Sequence, residues 1–219
     1  RILDKRTTAI SEGTKKFLDE INIWKDISKH AEPIKKIQIV DRNQSNKIYF
    51  DNQRRNSSLG YIVKNEFILD SLYKKLEKQK SVKIFNNTSP KNIFYEGSRI
   101  ITKQDNFLIN TNLLIASDGK KSSVRKIFKT PIFYKDYKKK AIVINFYHSK
   151  NHQNTAYEFF FKNGPLAILP MKKNKNEFQS SIVWTNTNDF IDSFFSLDNN
   201  KIISILNKKI EGSVGEIKK

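Results

Sequence analysis

Residues 113–125 read Leu-Leu-Ile-Ala-Ser-Asp-Gly-Lys-Lys-Ser-Ser-Val-Arg, and this stretch says more about the fold than any other. The apolar run 113–116 is typical of a short strand that is buried on both faces. It ends in Ser117-Asp118-Gly119, which predicts a sharp turn. Ser122 and Arg125 then follow at a spacing that favours a short helix. The pattern predicts a carboxylate and bare backbone at the carboxyl edge of a sheet, where open α/β sheets bind their ligands.

The same residues have a plainer interpretation. Asp-Gly is a common turn signal, so the stretch also suits an ordinary turn that closes a strand and precedes a basic helix. The other segments of the chain decide between the two interpretations.

Composition narrows the class of protein. The chain has 219 residues, 37% of them hydrophobic, which is enough for one large domain or two small ones with a packed core. It has no Cys, which excludes disulfides and thiolate metal sites. Its histidines, His30, His148 and His152, lack the spacing of metal ligands. No apolar run is long enough to span a bilayer, and we find no signal peptide. We therefore expect a cytoplasmic protein without a metal.

The net charge of +19 has two interpretations. One is a surface for nucleic acid or an anionic membrane. The other is compositional drift in an AT-rich coding sequence, because Lys outnumbers Arg by 34 to 7 and Asn and Ile are abundant. Dedicated nucleic-acid binders usually rely on Arg for bidentate contacts. We favour drift and expect no nucleic-acid partner, while a weak attraction to anionic membranes remains compatible with the charge.

The hydrophobic pattern predicts a helix over residues 11–21, with Ser11 as its N-cap and Phe17, Leu18 and Ile21 on one face. A second helix over 66–79 carries a stripe that we interpret as core: Ile68, Leu69, Leu72, Tyr73 and Leu76. Short strands are predicted over 37–39 with 48–50, 59–63, 82–85, 92–95, 98–102 and 107–110. After residue 127, segments 141–148, 156–161, 167–170 and 180–185 predict an antiparallel sheet, and 188–195 and 200–210 predict helices.

Dinucleotide-binding units open with a strand, a Gly-rich turn and a helix, because glycine lets the backbone approach the pyrophosphate closely. This sequence has no such turn, no Walker-type loop and no nucleophile elbow. Its seven glycines are isolated apart from Gly212 and Gly215. The sequence therefore carries no phosphate cradle of a recognised type.

Several segments occur in the order and spacing of one known family. They are Asp-Lys-Arg-Thr-Thr-Ala-Ile-Ser at 4–11 followed by Gly13-Thr14, Ile-Asn-Ile-Trp at 21–24, Ala-Glu-Pro-Ile at 31–34, Leu-Gly-Tyr-Ile-Val-Lys-Asn at 59–65, Asp-Gly-x-x-Ser-x-x-Arg at 118–125, Ala-Tyr-Glu at 156–158, Gly-Pro-Leu-Ala-Ile-Leu-Pro at 164–170 and Val-Trp at 183–184. Each is weak alone, but together they cover most of the chain. The chain resembles the FAD-dependent aromatic hydroxylases, and within them the ubiquinone-biosynthesis hydroxylase branch (the UbiH/UbiF/VisC type).

The resemblance implies an α/β fold with α+β character. Residues 1–32 and 59–126 would form part of an FAD-binding, Rossmann-like domain of the para-hydroxybenzoate hydroxylase type. Residues 33–58 and 127–219 would form a substrate domain, an antiparallel β-sheet that carries helices. The family's opening Gly-x-Gly-x-x-Gly unit and its later Gly-Asp motif are missing. We therefore expect an internal fragment, about half of a longer protein, that does not hold FAD tightly by itself.

The resemblance also assigns cofactor contacts. Arg6 would face the FAD phosphates or the flavin edge, the alternative being a surface cation near a helix start. Asn65 would hydrogen-bond FAD, the alternative being an N-cap. Asp118 and Gly119 would lie near the ribose and pyrophosphate and near the incoming nicotinamide nucleotide. Arg125 would either brace that loop or meet a phosphate of NAD(P)H.

The family's chemistry suggests what the intact protein does. NAD(P)H reduces FAD, and the reduced cofactor uses dioxygen to hydroxylate an electron-rich aromatic ring, here a polyprenylated ubiquinone precursor. The cofactor carries this chemistry, so no catalytic acid or base is required and none is assigned. Tyr157, Phe159, Phe161 and the segment 164–170 suit such a substrate but serve equally well as core. The resemblance also leaves room for other ubiquinone-biosynthesis proteins as partners and for peripheral contact with the inner membrane.

Two other functions stay open on the sequence. A related flavoprotein could perform different chemistry, as a halogenase or a prenyl reductase. A basic nucleic-acid-binding module is the alternative from another class, and it predicts salt-sensitive binding to DNA or RNA.

Overall fold

The computed structural model describes residues 4–42, 47–52, 57–86, 92–103, 107–210 and 212–218. The chain divides into two compact units. The first comprises Arg1–Gln79 with Tyr137–Lys219, and the second comprises Lys80–Asp136. Mixed helices and strands confirm the predicted α/β class. The predicted division into cofactor and substrate domains concerns function, which these compact units do not test, and it stays a prediction.

The described strands are β1 (Thr7–Ser11), β2 (Glu32–Ile34), β3 (Lys36–Asp41), β4 (Lys47–Asp51), β5 (Gly60–Lys64), β6 (Asn92–Glu96), β7 (Arg99–Lys103), β8 (Leu108–Thr111), β9 (Lys139–His148), β10 (Thr155–Phe161), β11 (Gly164–Asn174) and β12 (Glu177–Thr187). The α-helices are α1 (Glu12–Glu20), α2 (Trp24–Ile27), α3 (Asn65–Glu77), α4 (Ser123–Ile127), α5 (Asn188–Phe195) and α6 (Asn199–Ile210).

A six-stranded sheet in the order β4-β3-β10-β11-β12-β9 dominates the first unit. Its neighbours are antiparallel except for β3 and β10, which run parallel. The register aligns Tyr157 with Ile168, Ile168 with Ile182 and Ile182 with Ile144. Because side chains alternate between the faces of a sheet, this register also fixes which residues share a face.

One side of this sheet, which we call the closed face, packs against α5 and α6. Both helices and the sheet that was predicted after residue 127 are confirmed, with longer strands than expected. The cluster on this face is fully apolar and includes, among others, Phe146, Phe159, Leu166, Ile168, Ile182, Trp184, Ile191, Phe194, Leu206 and Ile210. Burial of this many large side chains makes the closed face the main source of stability in the first unit.

A smaller sheet in the order β1-β5-β2 carries the helices α1, α2 and α3 on one side. Ser11 caps α1 as predicted, since its side chain accepts a hydrogen bond from the Thr14 backbone N–H at 3.1 Å. On the other side, Ile34 and Ile62 pack against Ala156 and Met171 of the large sheet. The small sheet therefore covers one end of the large sheet on the side opposite α5 and α6.

The predicted buried stripe of the second helix is only half correct. Ile68 and Leu72 pack against the cluster beneath α3, whereas Leu69, Tyr73 and Leu76 are exposed. Phe17 of α1 is exposed as well, while its neighbour Leu18 is buried. Both helices bury a narrower stripe than the sequence pattern suggested, because a helix on one layer of sheet needs only one face covered.

The second unit contains the antiparallel sheet β6-β7-β8 and the helix α4. The strand predicted at 113–116 is wrong: these residues form no strand, and Leu113 and Ile115 are 72% and 75% exposed. The strand predicted at 82–85 is also wrong, because these residues form no strand. Apolar composition indicates a tendency toward burial, but a strand also needs a partner, and no described strand pairs with either segment.

Candidate functional site

Asp4 joins two of the predicted site residues. Its carboxylate accepts two hydrogen bonds from the Arg6 guanidinium, from Nε at 2.9 Å and from Nη2 at 2.7 Å. It also accepts one from the Asn65 side-chain amide at 3.0 Å. These bonds, from Arg6 first and then from Asn65, hold the pKa of Asp4 well below its usual range. The carboxylate is therefore ionised and fixes both side chains.

Backbone pairing holds this cluster in place. Thr7 of β1 lies opposite Lys64 of β5, so Arg6 and Asn65 flank the same end of the pair. The Asn65 N–H donates to the Arg6 carbonyl at 2.9 Å. The predicted alternative for Asn65, an N-cap, is wrong: Lys64 occupies the N-cap position of α3, and the Asn65 side chain instead bonds Asp4 and Thr8.

The segment that carries Arg6 is anchored on the large sheet. The Asn145 side-chain amide donates to the Lys5 carbonyl at 2.8 Å, and the Thr7 hydroxyl bonds the Ser181 hydroxyl at 3.1 Å. Residues 5 and 7 thus face the sheet, and the Arg6 side chain projects away from it and is 70% exposed. Two of its N–H groups bond Asp4, and the others have no partner among the described residues. Arg6 is therefore held in position and still able to bind an acceptor.

The Asp118-Gly119 loop lies in the second unit. The Asp118 carboxylate accepts hydrogen bonds from the backbone N–H of Ser123 at 2.6 Å and of Val124 at 3.2 Å. Contacts with the Ser122 side chain first, and then with Val124 and Ser123, hold the pKa of Asp118 well below its usual range. The turn and the short helix predicted here are confirmed, and Asp118 together with Ser122 caps α4.

Gly119 and Arg125 shape the same loop. Gly119 has a φ of 81°, which favours glycine, and a Cβ placed there would meet nothing within 4 Å. The Arg125 guanidinium donates to the Lys120 carbonyl at 2.6 Å, which is the bracing contact that the sequence offered as one of two roles. Arg6 and Asn65 are thus brought together in the first unit, and Asp118 and Gly119 in the second. Contact of all four with a cofactor stays a prediction.

The side of the large sheet opposite the closed face has an uncovered half, which we call the open face. One row of residues crosses it, strand by strand, at Ile39, Glu158, Ala167, Val183 and Val143. None of them belongs to a buried hydrophobic cluster of the described residues. The next row, which contains Ser181 and Asn145, meets the segment that carries Arg6. A shallow apolar surface therefore lies beside the Asp4 cluster.

Glu158 is the exception on this apolar surface. It forms no hydrogen bond or ion pair with any described residue, and burial raises the pKa of its carboxyl above the usual range. Asn145 contributes a second unsatisfied group, since its Oδ1 is buried without a partner in the described part of the chain. Three strand spacings separate the two residues, roughly 15 Å. Glu158 is half-buried and Asn145 Oδ1 is buried, and polar groups withdrawn from water normally have partners, so both are candidates for contact with a ligand.

Sequence reasoning missed Asp4, Glu158 and Asn145. The signal for Glu158 was present, because one carboxylate interrupts the apolar run Ala-Tyr-Glu-Phe-Phe-Phe at 156–161. The aromatic residues considered for the substrate, Tyr157, Phe159 and Phe161, instead pack in or against the closed-face cluster. Their alternative role as core is therefore the correct one. Among the residues described, no cluster of three or more His, Cys, Asp or Glu could hold a metal ion.

Comparisons with known proteins identify sequence relatives and proteins of the same fold. No family model matches the chain. Ubiquinone hydroxylase UbiL of Rhodospirillum rubrum is 26% identical over 195 residues, which cover 89% of this chain and 44% of that protein. The mitochondrial ubiquinone biosynthesis monooxygenase COQ6 of Drosophila melanogaster is 26% identical over 212 residues, covering 93% of this chain and 43% of that protein. The chain thus spans less than half the length of these curated relatives.

Solved structures give the fold independently. PqsL, a probable FAD-dependent monooxygenase from Pseudomonas aeruginosa, superimposes with a TM-score of 0.78 at 10% identity. The match covers 100% of this chain and 63% of that one. At this identity the likeness shows the fold alone, which is the para-hydroxybenzoate hydroxylase type that the sequence predicted. Sequence relatives and fold together confirm the resemblance of this chain to the FAD-dependent monooxygenases of ubiquinone biosynthesis.

Proposed function

We propose that this chain works as part of an FAD-dependent monooxygenase that hydroxylates the aromatic ring of a ubiquinone precursor with NAD(P)H and dioxygen. One observation carries the proposal: a partly exposed, apolar sheet face, with one carboxylate that bonds no described residue, lies beside a preorganised Arg-Asp-Asn cluster. The named relatives along most of the chain support the same activity.

The donor set of the first unit fits the cofactor. Arg6 has guanidinium N–H groups that bond no described residue and suit phosphate oxygens or the acceptor edge of a flavin, and Asn65 has one amide N–H that bonds none of them either. Asp4 holds both donors in place before any ligand arrives. In the second unit, the open space at Gly119 would let a nucleotide approach the backbone. Bound FAD would supply the redox chemistry and the reaction with dioxygen.

The open face suits a flat substrate. Ala167, Val183 and Val143 form a floor of small and medium side chains, on which an aromatic ring can lie. Glu158 at one side would accept a hydrogen bond from a ring hydroxyl, and this would raise the electron density of the ring. The apolar side chains of this face would also suit a prenyl tail.

The remaining parts of the proposal concern organisation and location. We propose that residues 1–32 and 59–126 serve the cofactor and that 33–58 and 127–219 serve the substrate. No described helix is long and apolar enough to cross a membrane. A polyprenylated substrate would nevertheless bring the protein to a membrane surface, so we propose peripheral contact with the inner membrane and association with other ubiquinone-biosynthesis proteins.

Flavin retention tests the cofactor part. The complete protein that contains these residues is purified, and its FAD content per chain is measured by absorbance after denaturation. We expect stoichiometric FAD, with at least tenfold weaker binding for Arg6→Ala. Lys5→Ala is the matched control, because Lys5 is the adjacent exposed cation and has no side-chain role in the cluster. Equal losses in both variants would contradict a specific role for Arg6.

Product analysis tests the reaction. The purified protein is supplied with NADH or NADPH, oxygen and a short-chain prenylated phenol, and products are identified by mass. The proposal expects one oxygen atom from dioxygen in the ring, with reductant consumed in step. Reduction of the prenyl chain with no oxygen incorporated would contradict the proposal and indicate a prenyl reductase. Incorporation of a halide into the ring would contradict it and indicate a halogenase.

A further inference from the structure

A cavity lies where the small sheet meets the end of β11 and the start of β12. Its volume is about 180 Å³. Ile62 and Met171 form part of its wall, and both belong to the cluster that joins the two sheets. The cavity is therefore built by the packing of two rigid layers rather than by a surface loop.

The charge of this cavity has one sign. Lys64, Lys172 and Lys173 line it together with His30, and none of the described lining residues is acidic. Burial first, and then the positive charges of Lys172, Lys29 and Lys74, lower the pKa of His30, which is stacked on Phe67. The lowered pKa is consistent with a positive potential inside the cavity.

The lysines are held in position to different degrees. Lys172 Nζ donates to the Lys29 carbonyl, and Lys173 Nζ lies 4.3 Å from the centre of the Phe178 ring. Neither contact neutralises a charge. Lys64 has no hydrogen bond or ion pair within the described residues. It immediately precedes Asn65, which bonds Asp4, but Lys64 itself does not. Three lysines thus line one cavity, and the carboxylate that interacts with Lys172 and Lys173, that of Glu32, is not part of its lining.

Gln179 is the second feature, besides the positive charge, that makes this cavity a candidate binding site. It lies on β12 opposite Met171 and lines the cavity, yet its side chain is only 6% exposed. Its amide has no hydrogen-bond partner among the described residues. The amide lines the cavity and bonds no described residue, so an occupant that accepts and donates hydrogen bonds would find a partner in it.

We propose that this cavity binds a phosphate group. A phosphate offers negative charge to a cavity lined by three lysines and no carboxylate, and oxygen acceptors for the Gln179 amide and the His30 ring. The volume accommodates one tetrahedral oxyanion with a few waters. A lysine ammonium is a compact point charge, whereas an arginine guanidinium is a planar donor that fixes the orientation of its partner. Lysines therefore suit a phosphate that binds in more than one orientation. The group can belong to free phosphate or to a phospholipid headgroup.

Binding of inorganic phosphate to the full chain, measured by calorimetry at fixed ionic strength, tests the proposal. We expect saturable binding that Lys64→Gln weakens at least tenfold. Lys16→Gln is the matched control, because Lys16 is an exposed lysine on α1 that does not line the cavity. Equal weakening by both variants, or binding that never saturates, would overturn the proposal in favour of diffuse attraction to a basic protein.

Two further arms complete the test. Gln179→Leu removes the amide without changing the charge, and its thermal unfolding is checked first; weaker phosphate binding in a folded variant separates a built site from electrostatics alone. If that variant does not fold, Gln179→Met, which also removes the amide without changing the charge and keeps an unbranched side chain, replaces it. Vesicles of phosphatidylcholine with and without phosphatidic acid identify the source. Binding to phosphatidic acid that Lys64→Gln reduces indicates a headgroup, and binding of phosphate with no such reduction indicates the free anion.

Discussion

The closed and open faces of the large sheet are built by alternate residues of the same strands, and they differ in what covers them. On β12, Ile182 and Trp184 are fully buried beneath α5 and α6, whereas Val183 between them lies on the uncovered row with Glu158. The closed face buries a large apolar cluster, while the open face keeps a carboxylate that bonds no described residue. One face is therefore optimised for stability, and the other retains groups that only a ligand would satisfy.

The largest expected effect comes from adjacent residues on the two faces. Ile182→Ala should lower the free energy of unfolding by about 2–5 kcal/mol, because it opens a cavity in a fully buried cluster. Val183→Ala should cost about 1 kcal/mol or less, because Val183 is only partly buried. Denaturant unfolding of both variants measures the difference. Similar losses would mean that the open face is not open in solution.

Gly164 tests how closely β11 and β12 pack against each other. It begins β11 with a φ of 143°, and a Cβ there would collide with the Thr185 carbonyl on β12. Gly164→Ala should therefore cost roughly 3 kcal/mol or more. Gly97→Ala is the control, since Gly97 also has a positive φ of 58° but open space around its Cβ position; it should cost about 1–2 kcal/mol. Thermal unfolding distinguishes the two.

Glu158→Gln should separate function from stability on the open face. In the complete protein, loss of the carboxylate should lower kcat by about 10- to 100-fold. The reason is that the neutral amide no longer offers the substrate hydroxyl a charged hydrogen-bond acceptor. The exposed Glu177→Gln is the control and should change nothing. An unchanged kcat for Glu158→Gln would remove Glu158 from the proposed substrate site.

The pH dependence gives Glu158 a second signature. Burial raises its pKa in the folded chain, so the unfolded chain loses its proton at lower pH than the folded chain does. Stability should therefore fall as pH rises from the ordinary glutamate pKa through the raised one. Glu158→Gln should abolish this part of the fall and be the more stable protein at neutral pH, as urea unfolding across that range would show.

The smallest expected effect concerns the cover of the closed face. Thr187 caps α5 by accepting a hydrogen bond from the Phe190 N–H at 3.4 Å, a long contact. Thr187→Ala should cost about 1 kcal/mol, and Thr187→Ser should retain most of the stability. A loss of several kcal/mol would indicate that the cap, and not apolar packing, holds α5 on the sheet.

The closed face was largely predictable from the sequence, and the open face was not. Alternation of apolar residues is a local property, so β9, β10 and β12 and the helix at 188–195 follow from the chain itself. The sequence could not tell which side of the sheet would remain uncovered, because that depends on where β2 and β5 pack. For this reason Tyr157 and Phe159 were considered for the substrate while Glu158 between them was not.

The candidate cofactor contacts show the same limit. Arg6 and Asn65 were named from motif position, but Asp4, which fixes both, carried no local signal for that role. The error at 113–116 has the opposite origin. A run of four apolar residues gives a strong local signal, whereas strand formation depends on pairing with a partner that can be far away in the chain.

The parallel pair of β3 and β10 has a consequence for how the protein acquires its structure. Thr155 lies opposite Lys36, so more than a hundred residues separate the two strands at the centre of the sheet. β3 and β4 are synthesised first, and β3 cannot pair with β10 until β10 has left the ribosome. Long-range pairing of this kind slows folding, because closing a large loop costs conformational entropy before the contacts that compensate for it can form. During synthesis the nascent chain therefore exposes a strand edge for many seconds, and this protein should depend on chaperones more than its size suggests.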